Sequence, residues 1–117
     1  MSEVSDCLFC KIIAGDIPGD VVLRTDKSLA FRDINPQAPT HVLVIPLEHV
    51  TNAADLTHGH GDLLSDLFDT ANRVAEQEGV AESGYRLVFN VGEDALNSVP
   101  HLHLHVVGGR RMGWPPG

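Results

Sequence analysis

Between residues 63 and 75 the apolar positions Leu63, Leu64, Leu67, Phe68, Ala71, Val74 and Ala75 recur at spacings of three and four. That period traces one face of a helix. Asp66, Asp69, Arg73 and Glu76 fall away from the stripe, and Gly79 stands where a C-terminal cap is expected. Elsewhere the apolar runs are short and read as strands. Val21–Arg24 and residues 29–32 are separated by the polar Thr25-Asp26-Lys27-Ser28, the composition of a hairpin turn. Residues 35–40 carry two prolines, which remove backbone donors and predict an extended loop. Residues 41–46 are nearly all β-branched or aliphatic, so they predict a central strand that ends at Pro46. Two more strands are predicted at 85–91 and 102–107, joined by the polar loop 92–100. Near the start, Leu8–Ala14 makes about two helical turns, stopped by Gly15 and by Ile17-Pro18-Gly19.

Five strands, mostly antiparallel, with one long and one short helix make an α+β domain. The long helix is expected to cover one sheet face and to leave the other free for chemistry or a partner. A chain of 117 residues, 43% hydrophobic and 21% charged, suits one globular domain spanning 1–117. Residues 1–6 are expected to be flexible. A net charge of −8 offers no basic stripe for a polyanion and argues against bulk nucleic-acid binding. A small phosphate ligand is still compatible, because backbone N–H groups, hydroxyls and imidazoles can hold one locally. The acidic start lacks the features of a signal peptide and no apolar run is long enough to span a bilayer, so the expectation is a cytoplasmic protein without a membrane partner.

The chemistry concentrates in His101-Leu102-His103-Leu104-His105. In a strand, alternate side chains share a face, which would set three imidazoles in a row at steps of roughly 6.5–7 Å with Leu102, Leu104 and Val106 turned to the core. Structural histidines are usually single, so the row points to function. Imidazole is both a common metal ligand and a nucleophile or acid-base group near neutral pH. Two neighbours can share a zinc, but a third ligand one step further along the same strand converges poorly. A catalytic row with the middle histidine attacking fits the spacing better. Cys7 and Cys10 are too close to form a long-range staple and read as a metal or redox pair. No strand precedes them and no helix of adequate length follows, which argues against a thioredoxin-like role. His58 and His60 read as solvated surface histidines.

His101-Leu102-His103-Leu104-His105-Val106-Val107 resembles the alternating signature of the histidine-triad superfamily. The resemblance runs through Phe31-Arg32-Asp33-Ile34-Asn35-Pro36-Gln37-Ala38-Pro39-Thr40-His41, through residues 85–92, and into the ending Trp114-Pro115-Pro116-Gly117. The last motif and Pro36-Gln37-Ala38-Pro39-Thr40-His41 look like the Hint branch of nucleoside phosphoramidases. That resemblance implies a homodimer whose two sheets join into one, each subunit holding a purine nucleoside monophosphate. It also implies that His103 attacks phosphorus and forms a nucleotidyl-histidine that water then hydrolyses. The His101 carbonyl would fix the tautomer of His103, and His105 and Ser98 would donate to the phosphate oxygens. His41 maps to the family's fourth histidine, behind the nucleophile. Asp33 matches the carboxylate on the ribose hydroxyls and Asn90 a polar residue on the ribose-phosphate side. Phe9, Ile12, Phe31, Ile34 and Leu43 correspond to the apolar slot around the base, with Asn97 and Val99 on the phosphate side. The tail 109–117 would lie near the active site, and Trp114 would reach the partner's site.

Two departures from the eukaryotic pattern stand out. Ala95-Leu96-Asn97 replaces a Gly-Gly-Gln, which predicts a stiffer loop before Ser98. Cys7-Leu8-Phe9-Cys10 looks like the opening of many bacterial members, in which the two cysteines join the histidine of a Pro-x-x-His segment and the first histidine of the triad to bind zinc. Here those ligands are Cys7, Cys10, His49 and His101. The resemblance leaves a dinucleoside polyphosphate hydrolase or nucleotidyltransferase as a rival enzyme, and a nucleotide-sensing module with negligible turnover as a rival of another kind.

Overall fold

A computed structural model of the chain describes residues 6–117, so the expected flexible start lies, apart from Asp6, outside the described residues. In chain order the elements are α1 (Leu8–Ala14), β1 (Val21–Arg24), β2 (Ser28–Arg32), β3 (Thr40–Pro46), α2 (Gly61–Gln77), β4 (Tyr85–Val88) and β5 (Leu104–Gly108). The strands form one sheet in the order β1-β2-β3-β5-β4, and every neighbouring pair is antiparallel. β3 lies at the centre with all of its residues buried, as its aliphatic composition requires.

Register divides the side chains between two faces. Ala30 pairs with Val44 and Val44 with Leu104, while Val42 pairs with Val106. These residues form one face, onto which α2 packs Leu67, Ala71 and Val74. Burying Leu67 or Leu104 contributes roughly 1.5–3 kcal/mol each. On the opposite face Val21, Phe31, Leu43, His105 and Val88 are successive cross-strand partners and form a row across all five strands. The pattern suggested that this face is free, but part of it is covered: Cys7 and Phe9 pack over Leu29, Phe31, Leu43 and Ile45. Seven residues are too few for an isolated helix, so α1 depends on that packing.

Several boundaries differ from the periodicity. Strand β5 starts at Leu104 rather than at 102, because the Leu102 N–H donates to the Val50 carbonyl (2.6 Å) and leaves the ladder. β4 stops at Val88, opposite His105, rather than at 91. Residues 89–91 and 101–103 therefore emerge together at one end of the sheet. α2 is longer than its apolar stripe and begins after a capping box in which the Thr57 N–H donates to His60 Nδ1 (3.0 Å), so His60 is a structural cap and not simply a solvated side chain. Asp66 does not point away to solvent either. It accepts from Thr25 Oγ1 (3.1 Å) and from the Ser28 hydroxyl, tying the β1–β2 hairpin to α2. Gly79 does follow the helix end with φ +76°, a left-handed conformation that favours glycine. Among the described residues, no helix is long and apolar enough to cross a membrane.

Candidate active site

The end of the ladder at Leu104 frees the backbone of 101–103, and the nucleophile candidate uses it. His103, 8% exposed, places Nδ1 2.8 Å from the His101 carbonyl oxygen. A carbonyl only accepts, so Nδ1 carries the proton and Nε2 keeps a lone pair. His105 is locked in the opposite sense. The Gln37 backbone N–H donates to His41 Nδ1 (3.0 Å), which leaves the His41 proton on Nε2, and that nitrogen is 2.9 Å from His105 Nδ1. His105 Nδ1 must therefore accept, and its own proton sits on Nε2. Two rings with centroids 5.0 Å apart thus present a lone pair and an N–H donor side by side. The Asn90 side-chain amide lies 3.5 Å from His105 Nε2, and with that nitrogen protonated it is the amide oxygen that faces it; Asp33 Oδ2 lies 3.4 Å from His41 Nε2.

Burial holds His103 below the ordinary histidine range, against the opposing pull of the His101 carbonyl and Asp33. His105 is pushed down to about 4, by burial first and then by its neighbours His103 and His41. Both rings are neutral at pH 7, the state that an attacking lone pair requires.

His101 does not complete a row of three. Its ring is wholly buried and turned away, with Nε2–H donating to the Pro46 carbonyl (2.9 Å). The Phe9 ring stands edge-on to both, 5.9 Å from the His101 centroid and 5.2 Å from that of His103. Strand alternation mispredicted this because 101–103 lie outside the ladder. The residue serves His103 through its backbone oxygen, while its side chain belongs to a second cluster.

That cluster holds Cys7, Cys10, His49 and His101, whose ligand atoms all lie within 4.8 Å of one another. His101 Nδ1 is 3.3 Å from Cys7 Sγ, 3.5 Å from Cys10 Sγ and 3.2 Å from His49 Nδ1, and Cys10 Sγ is 3.3 Å from His49 Nδ1. Zinc bonds of about 2.3 Å to sulfur and 2.0–2.1 Å to nitrogen imply tetrahedral edges of roughly 3.3–3.8 Å. These four separations, 3.2–3.5 Å, lie at the short end of those edges, so the donors are spaced for a tetrahedral cation. Cys7 also caps α1 by accepting the Cys10 N–H (3.2 Å), and burial raises the Cys10 thiol to about 11.

Beyond Asp33 a cavity of about 360 Å³ is lined by Ile12, Asp20, Phe31, Arg32, Asp33 and Ile34. Phe9, Phe31 and Leu43 are buried, Ile12 and Val99 pack against them, and Ile34 is fully exposed at the mouth. Asn97 Oδ1 is buried without a hydrogen-bond partner, while Ser98 beside it is exposed. Leu96 adopts φ +62°, a strained choice for a leucine where the eukaryotic pattern has glycine. Trp114 is 84% exposed and lies under the Arg86 guanidinium, 5.9 Å from the ring centroid, while the Gly113 carbonyl accepts from Arg86. A larger cavity of about 620 Å³ between β4 and the tail touches none of the histidines. Sequence reasoning missed Gln37 and Pro46, which act through backbone atoms and leave no side-chain signal.

A family model described as HIT domain matches residues 14–112. The chain is 44% identical to the purine nucleoside phosphoramidase of Escherichia coli K12, over 92% of this chain and 91% of that protein. It is 50% identical to a 14 kDa zinc-binding protein of Zea mays, over 97% of this chain and 89% of the relative. Its fold superposes with a TM-score of 0.92 on the crystal structure of a HIT family hydrolase from Legionella pneumophila Philadelphia 1, at 50% identity over 95% of this chain and 99% of that one. With the histidine arrangement and matches of this extent, the chain belongs to the HIT domain family.

Proposed function

We propose that the protein hydrolyses purine nucleoside 5'-phosphoramidates through a nucleotidyl-histidine on His103. The observation that carries the reading is the pair of opposite tautomers: a lone pair on His103 Nε2 beside an N–H on His105 Nε2. His103 Nε2 attacks phosphorus, the P–N bond breaks, and the amine leaves with a proton taken from solvent, which the hydrolysis step later returns. Water then cleaves the new N–P bond and returns free imidazole and the nucleoside monophosphate. Covalent catalysis splits one hard displacement into two easier ones. His105 Nε2–H and the Ser98 hydroxyl donate to the phosphoryl oxygens, where charge builds. The ribose hydroxyls donate to Asp33, and the base lies against Ile12, Phe31 and Ile34.

The same proposal assigns zinc to Cys7, Cys10, His49 and His101, supported by the tetrahedral edges and by the zinc-binding name of the maize relative. Bound there, the metal supplies a rigid tie between α1 and His101. It takes no part in the displacement. We further assign a homodimer: among the described residues β4 is a sheet edge, suited to continuing the sheet into a second copy, and exposed Trp114 then reaches the partner's site. A cytoplasmic location agrees with the two reduced cysteines.

The test follows release of a fluorescent amine from an adenosine 5'-phosphoramidate by the parent and by His103→Ala. Turnover by the parent and a loss of several orders of magnitude in the variant are expected. A parent that binds adenosine monophosphate but leaves the phosphoramidate intact overturns the substrate class.

A further inference from the structure

Resting on the nucleotide reading of this site, we infer that Asp20 is a specificity residue that reads N–H donors on the base, favouring guanine over hypoxanthine. The argument starts from register. His105, Leu43, Phe31 and Val21 are successive cross-strand partners. Strands are spaced roughly 4.8 Å apart, so the row runs roughly 14 Å from His105 to Val21. A nucleotide whose phosphate lies at His103 and His105 and whose ribose lies at Asp33 extends along this row, with its base over Phe31. The far edge of a purine then points to the outer end of the cavity, where Asp20, immediately before Val21, forms part of the lining.

Asp20 is held there by more than its own strand. Its carbonyl accepts the Arg32 N–H (3.0 Å), and its Oδ2 lies 3.5 Å from Arg32 Nε. Arg32 is itself pinned by two bonds to Glu78, of 2.6 and 2.9 Å. Among the described residues Oδ1 of Asp20 has no hydrogen bond. An ionised carboxylate only accepts, so it selects bases that present N–H groups at that edge. Guanine offers an N1–H beside a 2-amino group, which matches the two oxygens of a carboxylate. Hypoxanthine lacks the 2-amino group. The Asp20 side chain is 72% exposed, which brings the expected preference below that of a buried hydrogen bond to a charged group, to about fivefold.

Isothermal titration of the parent and Asp20→Ala with guanosine, inosine and purine riboside 5'-monophosphates tests this. The parent is expected to bind the guanosine nucleotide about fivefold more tightly than the inosine nucleotide, a ratio that falls to about one in Asp20→Ala. Purine riboside 5'-monophosphate, whose base has no N–H, should bind both proteins equally, which also shows that the variant is folded. A ratio near one in the parent, or a preference that persists in the variant, overturns the inference and leaves the nucleotide site standing. Failure of the parent to bind any of the three overturns both together.

Discussion

Replacing His41 by phenylalanine keeps a ring of similar volume in a site that is 7% exposed and removes both of its nitrogens. The Gln37 N–H loses its acceptor, and His105 Nδ1 loses the donor 2.9 Å away. Gln37 is exposed, so water can replace the first bond. His105 is more enclosed, and its cheapest remedy is to move its own proton to Nδ1. That turns a lone pair toward the phosphoryl oxygens in place of an N–H. A buried bond of this kind is worth about 1–1.5 kcal/mol, which sets a lower bound of about tenfold on the loss of the competent tautomer. Complete loss of one donor to the developing charge sets an upper bound of about 10²–10³. The expected result is therefore a fall in kcat of about ten- to a hundredfold. KM should change little, because the donor matters most where charge builds. Steady-state amine release gives both parameters, and a denaturant titration of the same sample should show no more than about 2 kcal/mol of destabilisation. A folded variant with kcat within about twofold of the parent would refute the claim that His41 sets the tautomer of His105.

Acid should remove activity by protonating His103 Nε2, and since burial lowers that group from its ordinary 6.5, kcat/KM should stay level through neutrality and drop only below that value; a profile already falling at pH 8 contradicts the assignment. Stability should move in the same direction. His105 binds its proton near 4 when folded and near 6.5 when unfolded, so acidification through that window loads the unfolded chain first and denaturant midpoints should fall. Cys10→Ser should lose the bound zinc that elemental analysis is expected to find at one per chain in the parent, and should melt more than about 4 °C lower; a metal-free parent removes the zinc assignment. Leu104→Ala, at a wholly buried position between β3 and α2, should cost about 2–5 kcal/mol by urea titration with an unchanged m-value, and a cost below about 1 kcal/mol would show that the core collapses around it.

The elements that could be read from the chain are those whose pattern is set locally. The stripe of α2 and the aliphatic run of β3 each bury a face that their own spacing defines, and both folded where expected. The start of β5 was not legible, because the alternation of Leu102, Leu104 and Val106 continues across a boundary that only the bond from Leu102 to Val50 creates. The same boundary explains His101. Counting by twos puts its ring beside His103, whereas the chain outside the ladder turns it to Pro46 and the cysteines. The Cys-x-x-Cys motif did point to His49 and His101 as its companions, since the resemblance covers that segment. Gln37 illustrates the opposite limit. Its contribution is a backbone N–H placed by a proline-rich loop, and no property of glutamine encodes it.

The carbonyl of His101 carries a lesson for how this molecule responds to substitution. It orients His103 through an atom that every amino acid possesses, so an alanine scan would credit position 101 only with what its imidazole does among the cysteines. The orienting contribution would stay hidden even in a complete set of side-chain variants. Replacing the peptide bond after residue 101 by an ester would weaken that acceptor, but it would also remove the Leu102 N–H that donates to the Val50 carbonyl, so its effect belongs to both bonds. What selection can adjust at this position is therefore the side chain's allegiance to the thiols, while the proton on His103 Nδ1 is held by the polymer itself.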